Sequence, residues 1–362
     1  MSDEMTYDDA GVDRDLGDEC SRIAAETCRR TYRNRDGRFG TPGEIENGFS
    51  GPVRVDEPLD DAFLVKNSDG VGSKALVAQR TGIHETVAQD LVAMNTDDAV
   101  AMGAEPFAAT NSLDVKEMDV DLVTALMEGL EDACADAGIA MVGGEIAELG
   151  EQITGHTTPY VWNADTIGVV AEDSVIDGSD VAAGDAVVGI RSNGIRSNGL
   201  TLARSICRDD LGDAWHTEPV DGSTWGEVLL KPSTVCAGGV LDVIGRYGED
   251  GRATVTGMAH ITGGGITNLQ RALRSDVGAV LDDLFEPHPE FHALQDRGPV
   301  SDREAYRTWN MGQCFLLTTP EPDAVIDVLD DSGLEAKTVG RVTDGGSLTV
   351  ESRGHESGTL TF

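Results

Sequence analysis

The stretch from residue 62 to residue 106 limits what this chain can become more than any other. An apolar run at 62–65 leads into Asp69-Gly70-Val71-Gly72-Ser73-Lys74, a helical segment then carries Asp90, Asp97 and Asp98, and the stretch closes on Gly103-Ala104-Glu105-Pro106. A strand that runs through glycines into a helix is the building unit of a layered α/β fold, because residues without a Cβ let the chain turn sharply. The same glycines bare backbone N–H groups to an anion, which Lys74 can neutralise. Asp97 and Asp98 follow Asp90 at spacings that return to one helix face. A phosphate cradle beside clustered carboxylates suits a magnesium-bound nucleotide, since Mg²⁺ is held by one or two carboxylates together with phosphate oxygens. Taken alone, the stretch reads equally well as an ordinary turn ahead of a solvated acidic face. The Gly-x-x-x-x-Gly-Lys-Ser/Thr and Gly-x-Gly-x-x-Gly spacings are both absent.

Charge narrows the partners. Among 362 residues, 27 are Lys or Arg and 65 are Asp or Glu, a net charge of −38. That charge repels a nucleic-acid backbone or an anionic membrane surface, so neither is expected as a partner. Disorder is opposed by 40% hydrophobic content and by regular periodic segments. A carboxylate-rich surface suits concentrated salt, where self-repulsion is screened, so a halophilic cytoplasm is expected. Six scattered cysteines without a Cys-x-x-Cys pair fit reduced thiols of a cytoplasmic protein. Residues 1–15 lack the apolar core of a signal peptide, and no apolar run has the length of a membrane span.

Along the chain, a helix is expected at 18–32, a long Gly- and Pro-rich loop at 34–58, and a helix after the glycine turn that extends to 102. A strand at 107–113 and a helix at 119–137 follow, the helix with Val120, Val123, Met127, Leu130 and Cys134 on one face. A strand at 139–142 then leads into a second glycine turn, Gly143-Gly144-Glu145, suited to a metal or a phosphate or simply to a tight reversal. After a strand at 165–170, the polar stretch 172–184 divides the chain into expected domains 1–172 and 173–362. The second half opens with a strand at 186–190 and the turn Asn193-Gly194-Ile195-Arg196-Ser197-Asn198-Gly199. Ser197 and Asn198 are available to cap the following helix, 200–210. A strand at 253–258 ends at His260-Ile261-Thr262-Gly263-Gly264-Gly265, which opens a helix at 266–273 and offers backbone N–H groups to an anion. His260 reads as ligand-facing or as a satisfied structural histidine. His288 and His292 lack a third metal ligand.

Assembled, these segments resemble the aminoimidazole ribonucleotide synthetase, or phosphoribosylformylglycinamidine cyclo-ligase, family. The resemblance runs through Tyr7 with Ala10-Gly11-Val12-Asp13, the 69–74 turn, Asp90-Leu91-Val92-Ala93-Met94, and Asp98 with Gly103-Ala104 and Pro106. It continues through residues 143–148, Ser197-Asn198-Gly199-Leu200, residues 260–265 and Tyr306-Arg307-Thr308-Trp309-Asn310-Met311-Gly312. It implies two α/β (α+β) domains, with the first-domain sheets of two subunits joined in a barrel across a homodimer. It also implies ATP-dependent closure of formylglycinamidine ribonucleotide to aminoimidazole ribonucleotide in purine synthesis, with Mg²⁺. By the match to the family, Lys74, Asp98 and His260 are implied as catalytic. Asp69, Gly70, Gly72, Ser73, Lys74, Asp90, Gly143 and Gly144 are implied for ATP, and Asp69, Asp98 and Glu145 for the metal. The substrate falls to Arg196, Ser197, Asn198, Gly199, His260, Thr262, Gly263, Gly264, Gly265 and Asn310.

Several positions depart from the family. Ser73 replaces a threonine, Arg196 stands where a histidine usually precedes Ser-Asn-Gly, Thr234 replaces an arginine, and Ala25 falls where a lysine is often found. Leu149-Gly150 follows Glu148 where many members have Met-Pro-Gly. Relatives of the same fold fit less well: Cys20 and Cys28 lie in a helical segment rather than in the glycine-rich loop of a selenophosphate synthetase. Gly143-Gly144-Glu145 replaces the Gly-Gly-Asp of thiamine-monophosphate kinases. The competing expectation is a divergent paralogue, either phosphorylating another amide-like substrate or serving as a nucleotide-binding scaffold.

Overall fold

The computed structural model describes residues 14–43, 51–55, 59 and 61–362. The motif from Tyr7 to Asp13 lies outside the described residues. Helix α1 (Arg14–Thr31) precedes strand β1 (Ala62–Gly70), helices α2 (Lys74–Thr81) and α3 (Val87–Val100), strand β2 (Glu105–Val115), helix α4 (Val120–Ala137), strand β3 (Ala140–Glu148) and strand β4 (Tyr160–Ala171). The four strands form one sheet in the order β1-β4-β2-β3, with β2 and β3 parallel and the other pairs antiparallel. Period-two burial along β4 shows how the sheet is covered: Tyr160, Trp162, Ala164 and Thr166 are buried while Val161 and Asn163 stand exposed. Helices α1, α3 and α4 pack together, with α3 against β1 and β4 and α1 against β3. On α4, Asp119 caps the first turn by accepting from the Leu122 amide, and Val123, Met127, Leu130 and Cys134 are all buried as their spacing requires.

The second half holds a seven-stranded sheet in the order β13-β12-β9-β11-β5-β10-β8, with only the β12/β9 pair parallel. In chain order its strands and helices, with a two-stranded hairpin of β6 and β7, are β5 (Ala186–Arg191), α5 (Leu200–Leu211), β6 (Pro219–Val220), β7 (Ser223–Thr224), α6 (Trp225–Leu229), α7 (Ala237–Ile244) and β8 (Gly257–His260). There follow β9 (Val277–Leu281), α8 (Pro289–Arg297), α9 (Asp302–Thr308), β10 (Gln313–Thr319), α10 (Pro322–Asp331), β11 (Ala336–Asp344), β12 (Leu348–Ser352) and β13 (Gly358–Thr361). The chain is thus a mixed α/β molecule built on two sheets.

Four expectations need correction. The strand expected at 253–258 is found at Gly257–His260, so His260 is its last residue, paired with Phe315 of β10. The segment after Lys74 is two helices, broken at Gly82, which adopts φ 75°. Gly143 and Gly144 form no turn, because β3 continues through them in register with Thr110 and Asn111 of β2. A Cβ on Gly144 would lie 2.8 Å from the Asn111 carbonyl oxygen, so Gly144 permits close strand approach. Residues after the 263–265 glycines form a 3₁₀ segment, Gly265–Arg271, instead of an α-helix. The described parts of the 34–58 loop pack on the sheet, with Phe39 edge-on to Phe107 and Tyr247 at centroid distances of 5.2 and 5.0 Å.

Candidate active site

Helix α3 is the beam on which the site is built. Apart from Asp98, the residues from Asp90 to Val100 are buried, and its three carboxylates all reach side chains or amides of the second half. Asp90 pairs with Lys74 at 2.7 Å, both side chains fully buried, and also accepts hydrogen bonds from the hydroxyls of Ser197 and Ser233. The Lys74 ammonium donates in addition to the Lys231 carbonyl. Burial pulls the Lys74 ammonium below its ordinary value, against the opposing charge of Asp90. One turn pair further on, Asp97 accepts from Arg196 at 3.1 Å and from the Cys236 and Ala237 amides at 2.9 and 3.0 Å. Burial pushes the Asp97 carboxyl up, while the Arg196 charge and the two amides pull against it. Every hydrogen-bond partner of Asp97 is a donor, which fits an acceptor-only carboxylate.

His260 links the other two carboxylate positions. Its Nδ1 lies 2.7 Å from Asp98 Oδ1 and its Nε2 lies 2.9 Å from an Arg196 guanidinium nitrogen. Guanidinium only donates, so Nε2 accepts, and the ring proton sits on Nδ1, from which it is donated to Asp98. Burial alone would raise the Asp98 carboxyl, but the hydrogen bonds from His260 and Asn67 and the charge of Arg196 hold it below the ordinary carboxylate value. Arg196 is buried at φ +64° and also donates to the Cys314 and Thr234 carbonyls.

Asp69 sits at the mouth of this arrangement. Asn95 clamps its backbone by two hydrogen bonds of 3.1 Å, and its carboxylate accepts from the Gly70 amide at 2.7 Å. Burial raises the Asp69 carboxyl, the Gly70 amide opposes this, and the Asp98 charge adds to the rise. Two carboxylates that repel each other beside a glycine turn match the donor set that Mg²⁺ takes with phosphate oxygens. Glu145 does not join them. In the sheet register Asp69 shares a row with Ala164, Asn111 and Gly144, whereas Glu145 shares the next row with Ser112 and Asn163. It therefore stands on the opposite face and three strands away, about 14 Å. Among the described residues no group of three His, Cys, Asp or Glu is arranged to hold a metal.

The remaining predicted residues divide between accessible backbone and internal braces. Gly72, at φ +54° with open space beside its α-carbon, and Ser73 lie exposed or half-exposed at the head of α2. Ser197 and Asn198 do not cap α5: Ser197 bonds Asp90, Asn198 donates to the Met94 sulfur at 3.5 Å, and Gly199 at φ 80° takes the cap position. Asn198 reaches the glycine turn, its side-chain oxygen 3.2 Å from where a Gly263 Cβ would stand. The Thr262 amide donates to Asn268, and Gly264 packs on the same side chain. Gly265, at φ +55°, approaches the Tyr306 carbonyl so closely that no Cβ fits. Asn310 is a brace, donating to the Gly194 carbonyl at 2.7 Å and accepting from the Gly312 amide at 2.9 Å. The sequence groups Asp97 with Asp90 and Asp98 by spacing but gives it no individual role; nothing local marks Ser233 or Asn95.

Two family models match the chain: AIR synthase related protein, N-terminal domain, over residues 54–170, and AIR synthase related protein, C-terminal domain, over residues 182–353. The phosphoribosylformylglycinamidine cyclo-ligase of Methanocaldococcus jannaschii is 37% identical over 94% of this chain and 93% of its own length. The chain belongs to the AIR synthase family. A second member, the phosphoribosylformylglycinamidine cyclo-ligase of Sorangium cellulosum, is 35% identical over 96% of this chain and 98% of its own. The family fold extends to a thiamine-monophosphate kinase from Stenotrophomonas maltophilia, at TM-score 0.59 and 20% identity over 89% of this chain and 95% of that one. It extends also to hydrogenase maturation protein HypE in complex with ATP, at TM-score 0.55 and 16% identity over 91% of both chains.

Proposed function

We propose that this AIR synthase family member closes formylglycinamidine ribonucleotide to aminoimidazole ribonucleotide, with conversion of ATP to ADP and phosphate. The observation that carries the reading is the near full-length similarity to phosphoribosylformylglycinamidine cyclo-ligases. The convergence of both halves on α3 supports it. An amide oxygen is a poor leaving group. Its attack on the γ-phosphorus of ATP expels ADP and leaves an iminophosphate, whose carbon the neighbouring amine attacks as the C–O bond breaks and phosphate departs. Holding amine and carbon together supplies the proximity the ring closure needs.

In this reading Gly72 and Ser73 present backbone N–H groups to the phosphates, the Gly70 N–H being taken by Asp69, and Asp69 and Asp98 would hold Mg²⁺, which would neutralise charge on the transferring phosphoryl. Lys74 and Asp90 position the turn from beneath, because their charges face each other. His260, with its proton on Nδ1, orients Asp98 and is itself oriented by Arg196. The turns at 197–199 and 262–265 contact the substrate. Residues 1–172 and 173–362 act as the ATP-binding and substrate-binding units. A second copy covers the outer face of the four-stranded sheet, where Val161 is 43% exposed beside Asn163. The protein works in a salt-rich cytoplasm.

The test is direct. Purified protein in concentrated KCl with Mg²⁺-ATP and formylglycinamidine ribonucleotide should yield ADP and a diazotisable aminoimidazole together, with both lost in Asp98→Asn. ADP without imidazole would reassign the chain to another amide-like substrate, and ATP binding without turnover would make it a scaffold.

A further inference from the structure

We propose that a cleft along α5, separate from the glycine turns, binds a phosphate monoester dianion through Arg80, Arg204 and Arg208. The cleft is lined by these three residues with Thr201, Ser205 and Trp215 and has a volume of about 140 Å³. That is about ten times the space one water needs. Arg204 and Arg208 stand one helical turn apart, and Arg80 comes from the last turn of α2. In a chain of net charge −38, three guanidinium groups on one small cleft run against the composition.

Among the described residues no buried carboxylate pairs with these three arginines. Arg80 reaches Asp213 at 3.4 Å, but that carboxylate is 90% exposed, and Arg208 reaches Asp209 at 3.7 Å with both side chains exposed. Exposed pairs of this kind contribute little. The buried Nε of Arg204 has no hydrogen-bond partner among the described residues, and neither has the buried Nδ1 of His216, next to Trp215. Burial, then the charges of Arg80 and Arg208, pull the Arg204 guanidinium below its ordinary value. His156 and His216 feel the same Arg80 charge. Three guanidinium groups lining one small cleft are the complement of a phosphate, whose oxygens accept from guanidinium in charge-assisted pairs.

Position suggests what brings the phosphate. At one end the Thr201 hydroxyl lies 3.5 Å from the Ser73 hydroxyl in the glycine turn. Seven residues further along α5, about 10 Å away, Arg208 marks the other end. Resting on the function proposed above, the ribonucleotide substrate's 5′-phosphate would occupy the arginine end while its reacting atoms face the turn. A free phosphorylated metabolite of the same chemistry is the other source.

Inorganic phosphate is titrated into the full chain by calorimetry at fixed ionic strength, for wild type, Arg204→Gln, Arg208→Gln and the double variant. One site per chain is expected, weakened about tenfold by each single change. The exposed Arg208 change guards against misfolding, with the thermal midpoint as control. Phosphate binding equal in wild type and double variant, or none in wild type, overturns the proposal. Kinetics then distinguish the sources. Phosphate competing with the ribonucleotide, with KM raised and kcat kept in Arg208→Gln, assigns the substrate's own phosphate. Phosphate still bound at saturating substrate assigns a separate metabolite. If the chain lacks ring-closing activity altogether, the calorimetric result still stands or falls by itself.

Discussion

At the scale of single residues, the site is a set of carboxylates whose charge is set by what each one faces. Asp98 is held below the ordinary carboxylate value of 3.8, so its stabilising contribution is complete above that value and is lost as pH falls through the lower folded-state value. Asp98→Asn should therefore unfold at lower urea than wild type at neutral pH, with the gap closing toward strong acid. A gap that persists in acid would mean that the His260 contact acts by shape alone. Asp97 is the sharper case. Removing its charge leaves Arg196 buried beside a neutral amide that has turned a donor toward it or toward two backbone amides. Asp97→Asn should cost about 3–5 kcal/mol, read as a shift of the urea midpoint, whereas Asp209→Asn on the surface should change little. The sequence marked all three carboxylates as a group. It did not mark which partner in the other half each one meets, because adjacent helix positions differ by only about 100° in direction and the arginine that selects Asp97 lies 99 residues away. Nor did it show that Lys74, read as a free phosphate ligand, has its charge taken by Asp90.

At the scale of elements, the alternation of strands and helices was legible wherever one face meets solvent and the other a core. α4 and β4 carry their periods openly, and both are found where their patterns place them. Glycine misled the reading where it has two uses. At 72 and at 199 it bends the chain or caps a helix, whereas at 70 and at 144 it narrows the gap between extended strands. The distinction rests on Asn111, a cross-strand neighbour that no local pattern names. Gly144→Ala tests it. A turn would tolerate the methyl group, whereas the strand places it 2.8 Å from the Asn111 carbonyl oxygen and 2.7 Å from the Asn111 amide nitrogen. The change should destabilise by about 1–3 kcal/mol, measured by urea unfolding. Full stability in the variant would show that the two strands can part without cost. The 3₁₀ segment after Gly265 follows from the same kind of contact: the backbone is pressed against the Tyr306 carbonyl and cannot open into a wider helix start.

At the scale of the whole molecule, two kinds of charge coexist and salt should separate them. Lys74–Asp90, Arg35–Glu105 and Arg196–Asp97 are buried pairs at 2.7, 2.8 and 3.1 Å, which mobile ions do not reach. The net −38 is instead the excess of 65 acidic over 27 basic side chains, whose mutual repulsion strains the compact state. Raising KCl from 0.1 M to 1 M shortens the screening length from about 10 Å to about 3 Å, which weakens that repulsion and leaves the buried pairs intact. The thermal midpoint should therefore rise steeply with KCl. Sucrose at matched osmolality should raise it much less, since it stabilises by exclusion from the surface and screens no charge. A midpoint indifferent to KCl, or equal gains in sucrose, would mean that the acidic surface is tolerated at low salt and that the charge has another origin. A steep rise in KCl alone would place the chain in concentrated salt. It would also set the condition for the phosphate titration, because the three arginines of the α5 cleft would have to select their anion against a large excess of chloride. Only a cleft that holds its guanidinium groups partly buried and preorganised can do that.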